Sequence, residues 1–227
     1  MIIAIDGPAG SGKSTTAKWV AKELGLLYLD TGAMFRAIAY ASIASGRTIE
    51  NSDFVAFVQN LELMVVPNED QMQVYLAGAD ITAKLRTPEV GKMASSVATQ
   101  TVVREKLMTL QRKTAQEQVE KHGGVVLDGR DIGTVVFPDA DLKVFLTADT
   151  RVRARRRVVE MEEKGHTLAY DAVLAEIEAR DLQDTTRKIA PLKRADDALI
   201  LDTSSMDITE QVRWVVEKAR TKMKSKK

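Results

Sequence analysis

Eight consecutive residues, Gly7-Pro8-Ala9-Gly10-Ser11-Gly12-Lys13-Ser14, fit the pattern G-x-x-x-x-G-K-[ST] without a mismatch. They stand directly after an apolar run of strand length and directly before a helical pattern, which is the context the pattern needs. Glycines let backbone N–H groups turn inward around phosphate oxygens, and the helix N-terminus adds its positive dipole end. Lys13 supplies a point charge, and the Ser14 hydroxyl can ligate Mg²⁺ directly. With Thr15 these residues form a cradle for the phosphates of a nucleoside triphosphate. A glycine-rich turn that merely joins strand to helix would account for the glycines but not for Lys followed by Ser. The cradle alone does not separate a kinase from a GTPase or a motor.

Arg36, Arg130, Arg180 and Arg187 lie in four separate segments. Phosphoryl transfer is mainly positioning and charge neutralisation, so it asks for several guanidinium groups converging from different parts of a chain. The alternative for any one of them is a surface arginine with a solvated head. Asp128 follows the apolar run Val125 to Leu127, where open parallel sheets place ligand groups; a capping or turn role before Gly129 is the alternative. Asp30 is similarly placed after Leu29, with a structural turn role as its alternative. Arg153, Arg156 and Arg157 form a basic face at helical spacing; Arg157 is assigned to the triphosphate side, against the reading of a solvated charged helix. His122 and His166 are isolated and are given no role. No Asn-Lys-x-Asp or Thr-Lys-x-Asp sequence is present to read guanine, and the length leaves little room for a motor. Small P-loop kinases remain.

These groups need a scaffold, and 227 residues suffice for one sizeable core with a small appended subdomain. Hydrophobic residues make up 44% and charged residues 29%, an ordinary globular balance that excludes a disordered chain. Lys plus Arg total 33 against 32 for Asp plus Glu, so no global field draws the protein to nucleic acid or to a membrane. The absence of cysteine excludes disulfides and thiolate metal sites. The first residues lack a basic n-region and long h-region, and no stretch approaches the roughly 20 apolar residues of a membrane span. A cytoplasmic monomer is expected, without membrane or stable nucleic-acid partners. The basic tail from Arg220 to Lys227 reads as a solvated, frayed end.

Nearly all-apolar runs at Ile2 to Ile5, Leu26 to Leu29, Val125 to Leu127, Leu142 to Leu146 and Ala198 to Leu201 predict strands buried on both faces. Helical patterns fill the gaps, at 13–24, 33–45, 54–61, 90–97, 102–121, 151–164, 170–182 and 208–222. The fold class is therefore α/β: a three-layer P-loop NTPase fold with a parallel sheet flanked by helices. Residues 62–95 break the rhythm. Leu63 to Val66, a polar turn at 67–70 and an alternating run from Gln71 to Leu76 predict an antiparallel hairpin in a small insertion outside the sheet. Residues 165–190, rich in Arg, Asp and Thr, suit a mobile lid. The core is then 1–61, 96–164 and 191–227.

Over essentially its whole length the sequence resembles the bacterial cytidylate kinase family. The carrying segments are Ile5 to Ser14, Leu29-Asp30-Thr31-Gly32-Ala33-Met34-Phe35-Arg36, Ile81 through Val90, Val103-Arg104-Glu105, Asp128 to Pro138, and Arg180-Asp181 to Arg187 with Ala190-Pro191-Leu192. The second and fifth of these are specific. The resemblance implies a nucleoside monophosphate kinase that moves the γ-phosphate of ATP to CMP or dCMP with Mg²⁺. It implies a CMP phosphate near Thr31, Arg36, Arg130 and Arg187. Cytosine is implied near Ser95, Arg104 and Asp131, ribose near Arg180 and Asp184, and ATP phosphates along Gly7 to Thr15. Asp128 looks like the carboxylate that would hold Mg²⁺ through water. On this reading Lys13, Arg36, Arg130, Arg187 and Asp128 carry the catalysis. Two positions depart from the family: Phe35 stands where tyrosine is common, removing a hydroxyl contact to the CMP phosphate. Thr185-Thr186 thins a lid that is often more basic.

Overall fold

The computed structural model describes residues 1–68, 72–163 and 165–224. In chain order the elements are β1 (Ile2–Asp6), α1 (Lys13–Leu24), β2 (Leu27–Asp30), α2 (Thr31–Ala44), α3 (Phe54–Asn60), β3 (Leu63–Val66), β4 (Gln73–Leu76), β5 (Ala79–Asp80), α4 (Pro88–Val97), α5 (Thr101–His122), β6 (Val125–Gly129), β7 (Leu142–Thr147), α6 (Thr150–Glu163), α7 (Tyr170–Thr186), β8 (Leu199–Asp202) and α8 (Ile208–Lys224). A 3-10 turn at Thr82–Arg86 precedes α4, and a π-helical turn at Ile132–Val136 follows β6.

Five strands form one sheet in the order β2-β6-β1-β7-β8, and every pair is parallel. Side chains alternate across a strand, so a strand that is apolar at every position must be covered on both faces. Ala4, Leu29 and Leu127 pack on one side with Met34 and Ile38 of α2 and Leu107 of α5. Ile3, Ile5 and Val126 pack on the other with Val20 of α1 and Val215 of α8. These side chains are almost fully removed from water, each of the Val, Leu, Ile and Met side chains worth about 1.5–3 kcal/mol of transfer free energy. The expected three-layer α/β fold with a parallel sheet is present.

The helix starts are set locally. Asp30 accepts the N–H of Ala33 at 2.9 Å and caps α2. Thr87 accepts the N–H of Val90 and, with Pro88 next to it, starts α4. Gly12 caps α1 with no side-chain acceptor, so the first amides of that helix remain available to a ligand.

The insertion differs from the expected hairpin in having a third strand, β5, paired to β4. Nor is it a separate body, because Val65, Met72, Val74, Ile81 and Leu85 belong to the same apolar core as α2 and α5. Glu69, Asp70 and Gln71, which fall in and after the expected turn, lie outside the described residues. The segment assigned to a lid is largely helix: α7 extends to Thr186 and packs Val173 and Ile177 on Ala154 of α6 in a small core of its own. Lys164, before it, and the tail residues Ser225 to Lys227 lie outside the described residues. Among the described residues no helix is long and apolar enough to cross a membrane.

Candidate active site

The cradle from Gly7 to Ser14 closes the carboxyl end of β1 and leads into α1. Its first residue must be glycine, since a Cβ there would lie 2.1 Å from the carbonyl oxygen of Leu146. Lys13 is buried under the loop and donates to the Pro8 carbonyl at 3.1 Å. Burial first, and then the charge of Arg130, bring its ammonium down to about pKa 7. The charge of a phosphate anion in the cradle would act against both causes.

Asp128, at the end of β6, is the polar centre beside the cradle. Its carboxylate accepts from the Ser14 hydroxyl at 2.6 Å and from the Tyr28 hydroxyl at 2.6 Å. Burial and the neighbouring Asp30 push this carboxyl up, against the opposing pull of Lys13. The Thr31 hydroxyl donates to the Asp128 backbone carbonyl at 2.6 Å, tying the start of α2 to the same spot. A serine hydroxyl against one carboxylate is a hard-oxygen pair that fits Mg²⁺ completed by phosphate oxygens and water.

Opposite the cradle the arginines gather. Arg36 pairs with Asp30 at 2.7 Å, and Arg130 with Asp184 of α7 at 2.7 Å. Arg187 reaches Asp184 at 3.4 Å and stands 4.0 Å from Asp131. Arg180 is held down to about pKa 10 by burial, then by the charges of Arg130 and, more weakly, Arg36, which places the three guanidinium groups in one field. Burial raises the Asp184 carboxyl, but Arg130, Arg187 and Arg180 outweigh it and keep it below the usual range. Three buried guanidinium N–H groups, on Arg36 Nε, Arg180 Nε and Arg187 Nη2, find no acceptor among the described residues. Buried donors of this kind are costly unless a ligand accepts from them.

Next to this cluster, Arg104 donates to Asp131 at 2.5 Å. The pair lines a cavity of about 130 Å³ together with Phe35, Met108, Gln111 and Ile189. Phe35 supplies a different contact from a tyrosine hydroxyl: its ring lies beneath the Arg104 guanidinium at 5.4 Å. Ser95 is not among the lining residues; its hydroxyl turns back toward Gly91 and its carbonyl accepts from Gln183.

The structure thus brings together Lys13, Ser14, Thr31, Arg36, Arg104, Asp128, Arg130, Asp131, Arg180, Asp184 and Arg187. It sets Arg157 apart, exposed and paired with Glu160 one turn on. The arginine that enters the site region is Arg153, which is buried and donates to the carbonyl of Ala9 in the cradle. Asp6 is a group the sequence did not single out. Its two oxygens accept the N–H groups of Ile132 and Gly133, fixing the turn that carries Arg130 and Asp131. Burial raises its pKa to about 6.

A phosphate cradle at the carboxyl end of a parallel sheet, faced by convergent arginines, is the build of a small P-loop phosphotransferase. The chain belongs to the cytidylate kinase family, whose model matches residues 3–221. A cytidylate kinase of Salinibacter ruber is 48% identical over 220 residues, covering 97% of this chain and 97% of that protein. One from an Exiguobacterium species is 47% identical over 207 residues, covering 91% and 90%. A crystal structure described as an uncharacterized protein from Eubacterium ventriosum superposes with a TM-score of 0.50 at 12% identity, over 96% of each chain, a likeness of fold alone.

Proposed function

We propose that the protein transfers the γ-phosphoryl group of ATP to the phosphate of CMP or dCMP, giving ADP and CDP or dCDP. The observation that carries the reading is the set of buried guanidinium N–H groups on Arg36, Arg180 and Arg187 with no acceptor among the described residues, Arg187 standing 4.0 Å from Asp131 of the Arg104–Asp131 pair. Such a set fits a phosphorylated acceptor whose base enters the adjoining cavity.

An acceptor phosphate oxygen attacks the γ-phosphorus in line, a new P–O bond forms, and the bond to the β-bridging oxygen breaks to release ADP. The attacking oxygen is already an anion, so no general base is needed. Gly7 to Thr15 hold the ATP phosphates, and Lys13 and the arginines neutralise charge spread over the transferring group. Thr31, Arg36, Arg130 and Arg187 hold the acceptor phosphate, Arg180 and Asp184 the ribose. Asp131 and Arg104, together with Ser95, read the cytosine edge. When bound, Mg²⁺ held by Ser14 and, through water, by Asp128 would neutralise phosphate charge. Residues 165–190 act as the lid that keeps water from the γ-phosphate. We read the enzyme as a monomer and place it in the cytoplasm.

The test is a coupled ADP-release assay with CMP, dCMP, AMP and shikimate as acceptors. Turnover is expected with CMP and dCMP. Comparable or better turnover with AMP or shikimate would overturn the assignment.

A further inference from the structure

One arginine of the basic face on α6 is buried and bonded to the protein itself. Arg153 is 3% exposed, and its guanidinium donates in four directions. Nε donates to the Ala148 carbonyl at 3.0 Å and Nη1 to the Ala9 carbonyl at 3.0 Å. Nη2 donates to the Thr150 hydroxyl at 2.8 Å and to Asp181 at 2.6 Å. Ala9 lies in the triphosphate cradle, and Asp181 lies on α7 between Arg180 and Asp184. The other oxygen of Asp181 is buried and accepts from no described residue, so Arg153 is what holds that carboxylate in place.

The setting makes this link consequential. The small core shared by α6 and α7 (Ala154, Val173 and Ile177) is distinct from the two cores that cover the sheet. Polar contacts tie the helix pair to the rest of the molecule, among them Arg156 of α6 with the hydroxyl and carbonyl of Thr203, whose hydroxyl in turn meets the Ser11 carbonyl. On the acceptor side these are Asp184 with Arg130 and the Gln183 amide with the Ser95 carbonyl. On the cradle side Arg153 makes the direct contact, and the loop lies so close that a Cβ on Gly10 would come within 3.3 Å of the Arg153 Cβ. A buried guanidinium has no water to replace a lost partner. If the cradle shifts around a triphosphate, Ala9 moves, Arg153 follows, and Asp181 carries the α7 face that bears Arg180 and Asp184.

We propose that Arg153 is a positioning residue that couples the two nucleotide seats, so that occupation of the cradle strengthens binding of the acceptor and the reverse. This rests on the reading that the cradle takes ATP and the arginine cluster takes CMP. Lysine could not substitute, because one ammonium on a flexible stem does not span four acceptors set around a planar fork.

The experiment measures the dissociation constant of CMP with and without saturating Mg²⁺ and a non-hydrolysable ATP analogue, in the wild type, Arg153→Lys and Asp181→Asn. Linkage requires the same factor for either order of addition. The wild type is expected to bind CMP at least about 5-fold more tightly with the analogue present, the lower end of ordinary coupling factors. In both variants that factor should fall to within about twofold of one, while each ligand alone binds within about threefold of its wild-type affinity. An unchanged factor in the folded variants, a factor of one in the wild type, or a common loss of both affinities with the factor intact would overturn the proposal. Asp181→Asn keeps it falsifiable if Arg153→Lys does not fold. A wild type that binds neither nucleotide would sink the functional reading and this inference with it.

Discussion

At the residue scale the protein balances buried charges against one another. Lys13 has a folded pKa of about 7 against 10.5 for the free side chain, through burial and the Arg130 charge. Between those values the folded chain binds fewer protons at this group than the unfolded chain, so its contribution to stability improves as pH rises through the window. Asp6 behaves oppositely: it is raised from 3.8 to about 6, and its contribution weakens as pH rises between those values. Phosphate charge in the cradle would restore the Lys13 proton. Titration of a non-hydrolysable ATP analogue at pH 8, in buffers of different ionisation enthalpy, should therefore show proton uptake by the wild type and none by Lys13→Ala. Equal apparent enthalpies in all buffers, or proton release, would contradict the buried, nearly neutral lysine. Lys13, Ser14 and Asp128 were legible in the sequence because their motif or their place after an apolar strand carries the chemistry. Arg153 was legible only as one member of a basic face with Arg156 and Arg157, and burial rather than sequence sets it apart from them. Asp6 was hidden, because its partners are backbone N–H groups far along the chain.

At the element scale the sheet strands were legible because they are apolar at nearly every position, which demands cover on both faces; the edge strand β8 departs from that expectation, since it pairs on one side only and leaves Leu199 and Ile200 exposed. The two-residue strand β5 was not, because Ala79 and Asp80 are exposed and present no alternation. The insertion read as an outlying piece, yet its buried face is continuous with the core around α2. That continuity has an energetic consequence. Ile81, 3% exposed, lies in this shared core, so Ile81→Ala should lower the stability of the whole chain by about 2–5 kcal/mol. Denaturant unfolding should show one transition with a lowered midpoint and an unchanged slope. A separate early transition, with the main one unmoved, would mean that the insertion folds independently.

At the scale of the whole molecule, cradle, arginine cluster and base cavity come from segments as far apart as Gly7 and Arg187, brought to one end of the sheet by parallel βα connections. The central claim is that this assembly selects a cytosine nucleotide, with the carboxylate of Asp131, steadied by Arg104, facing the 4-amino group. Uracil would present an oxygen there, acceptor against acceptor. A hydrogen bond to a charged group is worth about 1.5–3 kcal/mol, or about 10- to 150-fold in kcat/KM. Asp131→Asn keeps the shape and offers a donor instead. The decisive measurement is kcat/KM for CMP and UMP in the wild type and in Asp131→Asn. The wild type should favour CMP by about 10- to 150-fold, and the variant should lose most of that preference by losing CMP use far more than UMP use. A wild type indifferent to the base, or a variant in which both substrates fall by the same factor, would contradict the account.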